Sequence, residues 1–146
     1  MSTQSYDLDR FVEAQDPIYP RVIAELAAGD KQSHWMWFIF PQIAGLGFSA
    51  MAQRYAIGSR AEAIAYLDHP VLGPRLIECT RLVLDVTGKS IHSILGSPDD
   101  IKFRSSMTLF DAVCDNPIFN DAIGKYYSGK KDEATLTTLK RMEGQS

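Results

Sequence analysis

The chain has 146 residues and a formal net charge of −3, with 45% apolar and 23% charged residues. That length suits one domain whose core hides about two-thirds of the unfolded surface. The charge lacks the basic excess with which nucleic-acid binders displace counterions, so no nucleic-acid partner is expected. Lys130, Lys131, Lys140 and Arg141 gather near the C-terminus, but Asp132 and Glu133 interrupt them, which reads as a solvated mixed-charge face.

The opening "MSTQSYDLDR" has no basic region followed by an apolar stretch, and no apolar run approaches the roughly 20 residues that cross a bilayer. A cytoplasmic protein without a membrane partner is expected. Cys79 and Cys114 stand alone without Cys/His spacing, so the expectation is reduced thiols, no metal and no cofactor.

Helix punctuation dominates the chain order. Asp7 suits the start of a short helix carrying Leu8, Phe11 and Val12. Asp16-Pro17 reads as an N-cap with proline in the first helical position, followed by Ile18, Val22 and Leu26 and stopped by Gly29. Ser49 can cap a helix through Met51 and Tyr55. "SRAE", Ser59 to Glu62, has the capping-box spacing. Behind it Ala63, Ile64 and Leu67 share a side, and the helix stops before His69-Pro70. Gly73-Pro74 opens the longest helix, Ser90 a brief one, and "SPDD", Ser97 to Asp100, joins N-cap, proline and two acids at the positive end of another. Asn116-Pro117 opens another, and a last amphipathic helix carries Ala134, Leu136, Leu139 and Met142. The expectation is a single all-α domain over residues 1–146, of about seven to nine short helices.

Between these elements lies "SHWMWFIFPQ", residues 33 to 42, which holds both tryptophans. Helical or extended, it presents apolar side chains all round and so belongs in a core. His34 and Gln42 bracket the apolar run, and rings beside convergent polar groups also make small-molecule pockets.

"HWMWFIFPQIAGLGFSAMAQRYAI", "EAIAYLDHPVLGPRLIEC" and "DDIKFRSSMTLF", in that order, resemble an uncharacterised bacterial family whose members often carry the label calpastatin-like. The resemblance covers most of the chain, from about Phe11 to Tyr127. It implies a compact all-helical domain and no established activity or cofactor. The segment order is also faintly similar to the helical NADAR-type enzymes, which cleave ADP-ribose from modified guanine or act on related N-glycosides. The shared features are an aromatic segment, a helix beginning near a serine, and a later "KF" helix at Lys102-Phe103. The acidic residue that those enzymes place early in the helix after the aromatic segment has no clear match: Gln53 falls nearby and Glu62 later.

Two functional readings follow. The first is a pocket for a nucleotide-like or ADP-ribose-like ligand, walled by Trp35, Trp37, Phe40 and Tyr55, with His34, Gln42, Lys102 and Ser106 as polar contacts. In its hydrolytic form, as an N-glycoside hydrolase, Glu62 or Asp100 would activate water. Both carboxylates have a competing role at a helix N-terminus. Lys102 and Ser106, four apart on one helical face, also have the spacing of a base and nucleophile. The second reading is a non-enzymatic module for protein interaction or self-association through an exposed apolar patch, with the region of Tyr126 and Tyr127 as one candidate. Sequence alone leaves open whether the chain is an enzyme, and its oligomeric state.

Overall fold

The computed structural model describes residues 6–144. Among them are ten helices: α1 (Asp9–Gln15), α2 (Tyr19–Ala28), α3 (Met36–Ile39), α4 (Ala50–Arg54), α5 (Arg60–Asp68), α6 (Leu72–Asp85), α7 (Ile91–Leu95), α8 (Asp99–Asp111), α9 (Ile118–Tyr127) and α10 (Glu133–Gly144). The chain is all-helical as expected, with ten helices in place of seven to nine. The addition is α3, a single turn inside the aromatic segment, too short for any period to announce it. The segments on either side of α4 touch through one parallel bridge, Ile43 with Ile57, in which the Ile57 amide donates to the Gln42 carbonyl and the Ala44 amide to the Ile57 carbonyl.

Side-chain caps set many helix starts. Ser49, Ser59 and Ser90 each accept the amide three residues on, and Asn116 accepts that of Ile118. Each such cap is worth about 1 kcal/mol. Gly29 stops α2 in the left-handed region at φ 67°, where a side chain would be strained. Three expected starts differ. At α1 the cap position belongs to Leu8 in place of Asp7, with no side-chain cap. Asp16 does not cap α2 but closes α1 and pairs with Arg75 at 2.9 Å. At α8 the residue in the cap position is Pro98, so the helix begins without a side-chain cap.

The core is built around α8, which packs against α5, α7, α9 and α10. From Ser105 to Phe110 every residue of α8 is buried, the signature of a helix enclosed on all sides. Phe40 meets Phe103 edge-on at 4.9 Å, and Tyr66, Phe110 and Phe119 continue the ring contacts. Burying each such ring contributes about 1.5–3 kcal/mol. In α5 the inward residues are Glu62, Ala63 and Tyr66, whereas Ile64 is exposed. A close backbone crossing joins α5 to α6: a Cβ on Gly73 would lie 2.1 Å from the Leu67 carbonyl oxygen. No helix among the described residues is long and apolar enough to cross a membrane.

Candidate functional site

The site begins at the end of α2. Glu25 stands in the last turn, where a carboxylate opposes the helix dipole. It is retained there because the chain beyond Gly29 folds back over it. Glu25 Oε1 accepts the amides of Gln32 and Ser33 and the indole N–H of Trp35, at 2.9, 3.0 and 2.9 Å. Its Oε2 accepts the Ser33 hydroxyl at 2.7 Å. Burial alone would raise the carboxyl pKa, but these four donors outweigh it and lower it from 4.5 to about 2. One side chain thus shapes the loop of residues 30–35.

Lys31 ties this loop to the start of α8. Its ammonium lies 2.8 Å from Asp99 Oδ2, donates to the Ser33 carbonyl and sits 4.9 Å from the centre of the Trp35 ring. Lys102, one turn into α8, is 4.0 Å from Asp99 and places its ammonium 5.2 Å from the centre of the half-buried Trp37 ring. Between loop and helix lies a hollow of about 340 Å³, bordered by Lys31, His34, Trp37, Asp99 and Lys102. A second hollow of about 390 Å³ adjoins it, bordered by Gln42, Phe48, Ile101 and Ser105. Pro98 and Lys102 border both.

A family model described as "Protein of unknown function (DUF1810)" matches residues 5–139. The chain belongs to the DUF1810 family. This DUF1810 chain is also similar to a conserved hypothetical protein from Mycobacterium tuberculosis. It matches that protein's crystal structure with a TM-score of 0.92 and 54% identity, over 92% of this chain and 97% of that one. No curated protein matches it. Neither description names an activity, and neither carries the calpastatin-like label or the NADAR likeness suggested by the segment order.

Within this DUF1810 fold the residues singled out from sequence separate into two groups. His34, Trp37 and Lys102 meet at the first hollow, and Gln42 joins Lys102 at the second. Trp35, Phe40, Tyr55 and Ser106 border neither. Trp35 is fully buried, its N–H spent on Glu25. Phe40 is wedged between Trp35 and Phe103. Tyr55 packs at a tilt against Phe11 and Phe38, and Ser106 lies wholly inside the core with its hydroxyl unpartnered. Spacing four apart on a helix put Ser106 beside Lys102, but the two side chains part company at the protein surface.

Glu62 and Asp100 also border neither hollow. Glu62 binds Arg10 at 3.1 Å and accepts the Gly58 amide at 2.8 Å. Asp100 accepts the Ile101 amide and pairs with His92 at 3.2 Å. The carboxylates that do border the hollows are Asp99 and Asp132. Among the described residues no cluster of three or more His, Cys, Asp or Glu side chains is arranged to hold a metal ion. Tyr126 and Tyr127 donate their hydroxyls to the carbonyls of Val83 and Asp100, which commits both to helix packing.

Sequence reasoning passed over Glu25 and Lys31 as site builders and gave Asp99 to the start of a helix. Glu25 offered one signal, an acid at the wrong end of a helix immediately before a loop rich in donors. Lys31 offered none, since its partner lies 68 residues away in sequence.

Proposed function

We propose that the hollow between the 31–37 segment and the start of α8 binds a small anionic ligand carrying a flat ring, nucleotide-like or ADP-ribose-like in chemistry. The observation that carries this reading is the gathering of a half-buried indole, two ammonium groups and a histidine around one depression of about 340 Å³. That volume lies within the range of small-ligand sites. A ring stacked on Trp37 would contribute on the order of 1–3 kcal/mol, and phosphate oxygens would draw on Lys31 and Lys102. The N-glycoside hydrolase form of the reading assigns the base to Asp99. A ligand phosphate that captures Lys31 would free this carboxylate to accept a proton from water.

The test is titration of the protein with AMP, ADP and ADP-ribose, followed by tryptophan emission and by calorimetry. Trp35 is enclosed and Trp37 is accessible, so a ligand in the hollow quenches Trp37 emission, and Trp37→Phe abolishes the quench without loss of fold. Lys102→Met weakens binding at least tenfold. Saturation without any effect of Trp37→Phe or Lys102→Met removes the proposal. For turnover, Asp99→Asn retains binding and loses product formation.

A further inference from the structure

Phe48 is 83% exposed and Ile101 56% exposed, and both face the same hollow, the second one described above. Two large apolar side chains held in water around one concavity are what a monomeric surface avoids and what an interface uses as its anchor. This feature is independent of Trp37, which borders only the neighbouring hollow.

The charge around it is lopsided. Lys102 borders the hollow at one end, while Asp132 and Ala134 link it to a larger depression of about 600 Å³ bordered by Arg104, Lys130 and Lys131. Asp132 is turned inward, where its Oδ2 accepts the Ser105 and Thr135 hydroxyls and the Thr135 amide. Glu133 is the other carboxylate on this rim. Arg104 stands 4.0 Å from Asp132, and its Nε is buried with no partner among the described residues. Lys131 reaches Asp111 at 3.1 Å. In a chain of net charge −3, the two depressions are lined by Lys102, Arg104, Lys130 and Lys131 against Asp132 and Glu133, beside an apolar seat.

We propose that this surface docks an extended acidic segment of a partner protein. One bulky apolar side chain of the segment sits between Phe48 and Ile101, and its carboxylates lie toward Arg104, Lys130 and Lys131. Charge complementarity selects an acidic partner. The aliphatic character of Leu46, Ile101 and Leu136 suits peptide side chains better than a row of stacked bases.

The experiment is selection from a random peptide library displayed on phage against the wild-type protein, then fluorescence anisotropy of the enriched peptides. Enriched sequences are expected to combine acidic residues with one large apolar residue. Their affinity falls at least about tenfold in a Phe48→Ser, Ile101→Ser double variant, the scale of losing an anchor residue. It falls in Lys130→Glu, Lys131→Glu with a flatter salt dependence, and is unchanged in Trp37→Phe. Circular dichroism verifies that the variants stay folded, since the substituted side chains are exposed. Four results overturn the proposal: no enrichment, enrichment of basic or neutral peptides, equal binding by the double variant, or preferential binding of a uridine oligonucleotide at this face. Light scattering that shows a dimer dissolved by Phe48→Ser also overturns it, because the occupant is then a second copy of the chain.

Discussion

The Glu25 carboxylate accepts the indole N–H of Trp35 at 2.9 Å, and through this bond the end of α2 holds the aromatic segment in place. The same carboxylate carries the bonds from Gln32 and Ser33, so its ionisation is coupled to the shape of the 30–35 loop. Its pKa is depressed in the folded chain, so its contribution is complete above 4.5 and drains away as pH falls toward about 2. Thermal unfolding followed across that window is expected to show a falling melting temperature in the wild type. Glu25→Gln flattens that limb and costs about 1–3 kcal/mol at neutral pH. An unchanged acid limb in the variant contradicts this assignment.

Ser106 is a buried hydroxyl without a partner. Desolvating it costs free energy that no bond returns, so Ser106→Ala is expected to be neutral or stabilising by up to about 1 kcal/mol. Urea denaturation reads this directly. The substitution also tests the Lys102–Ser106 pairing suggested by spacing: ligand binding at the Trp37 hollow is expected to be untouched.

Arg10 fastens α1 to the 54–62 region. Its guanidinium donates to the carbonyls of Arg54 and Ala56, at 2.7 and 2.8 Å, and to Glu62 at 3.1 Å. The Arg10 and Glu62 side chains are only 15% and 9% exposed, so removing one strands the other. Arg10→Met is expected to cost about 3 kcal/mol. A double-mutant cycle with Glu62→Gln should return a coupling energy well above the sub-kcal values of surface pairs.

Gly73 permits the crossing of α5 and α6. A Cβ there would meet the Leu67 carbonyl oxygen at 2.1 Å and its carbon at 3.0 Å, and backbone cannot step aside as a side chain can. Gly73→Ala is expected to destabilise by about 3 kcal/mol or more, despite the better helix propensity of alanine. A stable variant with wild-type melting temperature would refute the contact.

Cys79 is enclosed, and burial pushes its thiol up to about 12. Thiolate is the reactive form, so an aromatic disulfide reagent at pH 8 is expected to label Cys79 only as fast as the chain opens. Cys114 is half-buried, and burial raises its thiol as well. Mass spectrometry of the labelled peptides separates the two; Cys79 reacting ahead of global unfolding would disprove its enclosure.

Local chemistry made much of this architecture readable. Ser49, Ser59, Ser90 and Asn116 bond to amides two or three residues away, so their caps are visible in a short window of sequence. Gly29 is likewise a local stop. Asp16-Pro17 misled because Asp16 serves the end of α1 and a long-range pair with Arg75. In α5, apolar spacing placed Ile64 inward, yet the buried Glu62 took that face through Arg10. The site was harder still. His34, Trp37 and Lys102 stand together because Glu25 folds a loop and Lys31 crosses to Asp99, and such contacts leave no period or motif. Nor does any pattern distinguish a phenylalanine held in water, such as Phe48, from the six elsewhere in the chain.

Lys102 borders two concavities with a single flexible arm. When its ammonium swings toward an occupant on the Trp37 side, the opposite basin loses that positive charge, and the reverse holds equally. Two guests competing for one cation are therefore thermodynamically linked, each weakening the other by the same factor. This crosstalk needs no motion of the backbone, only the reach of one side chain.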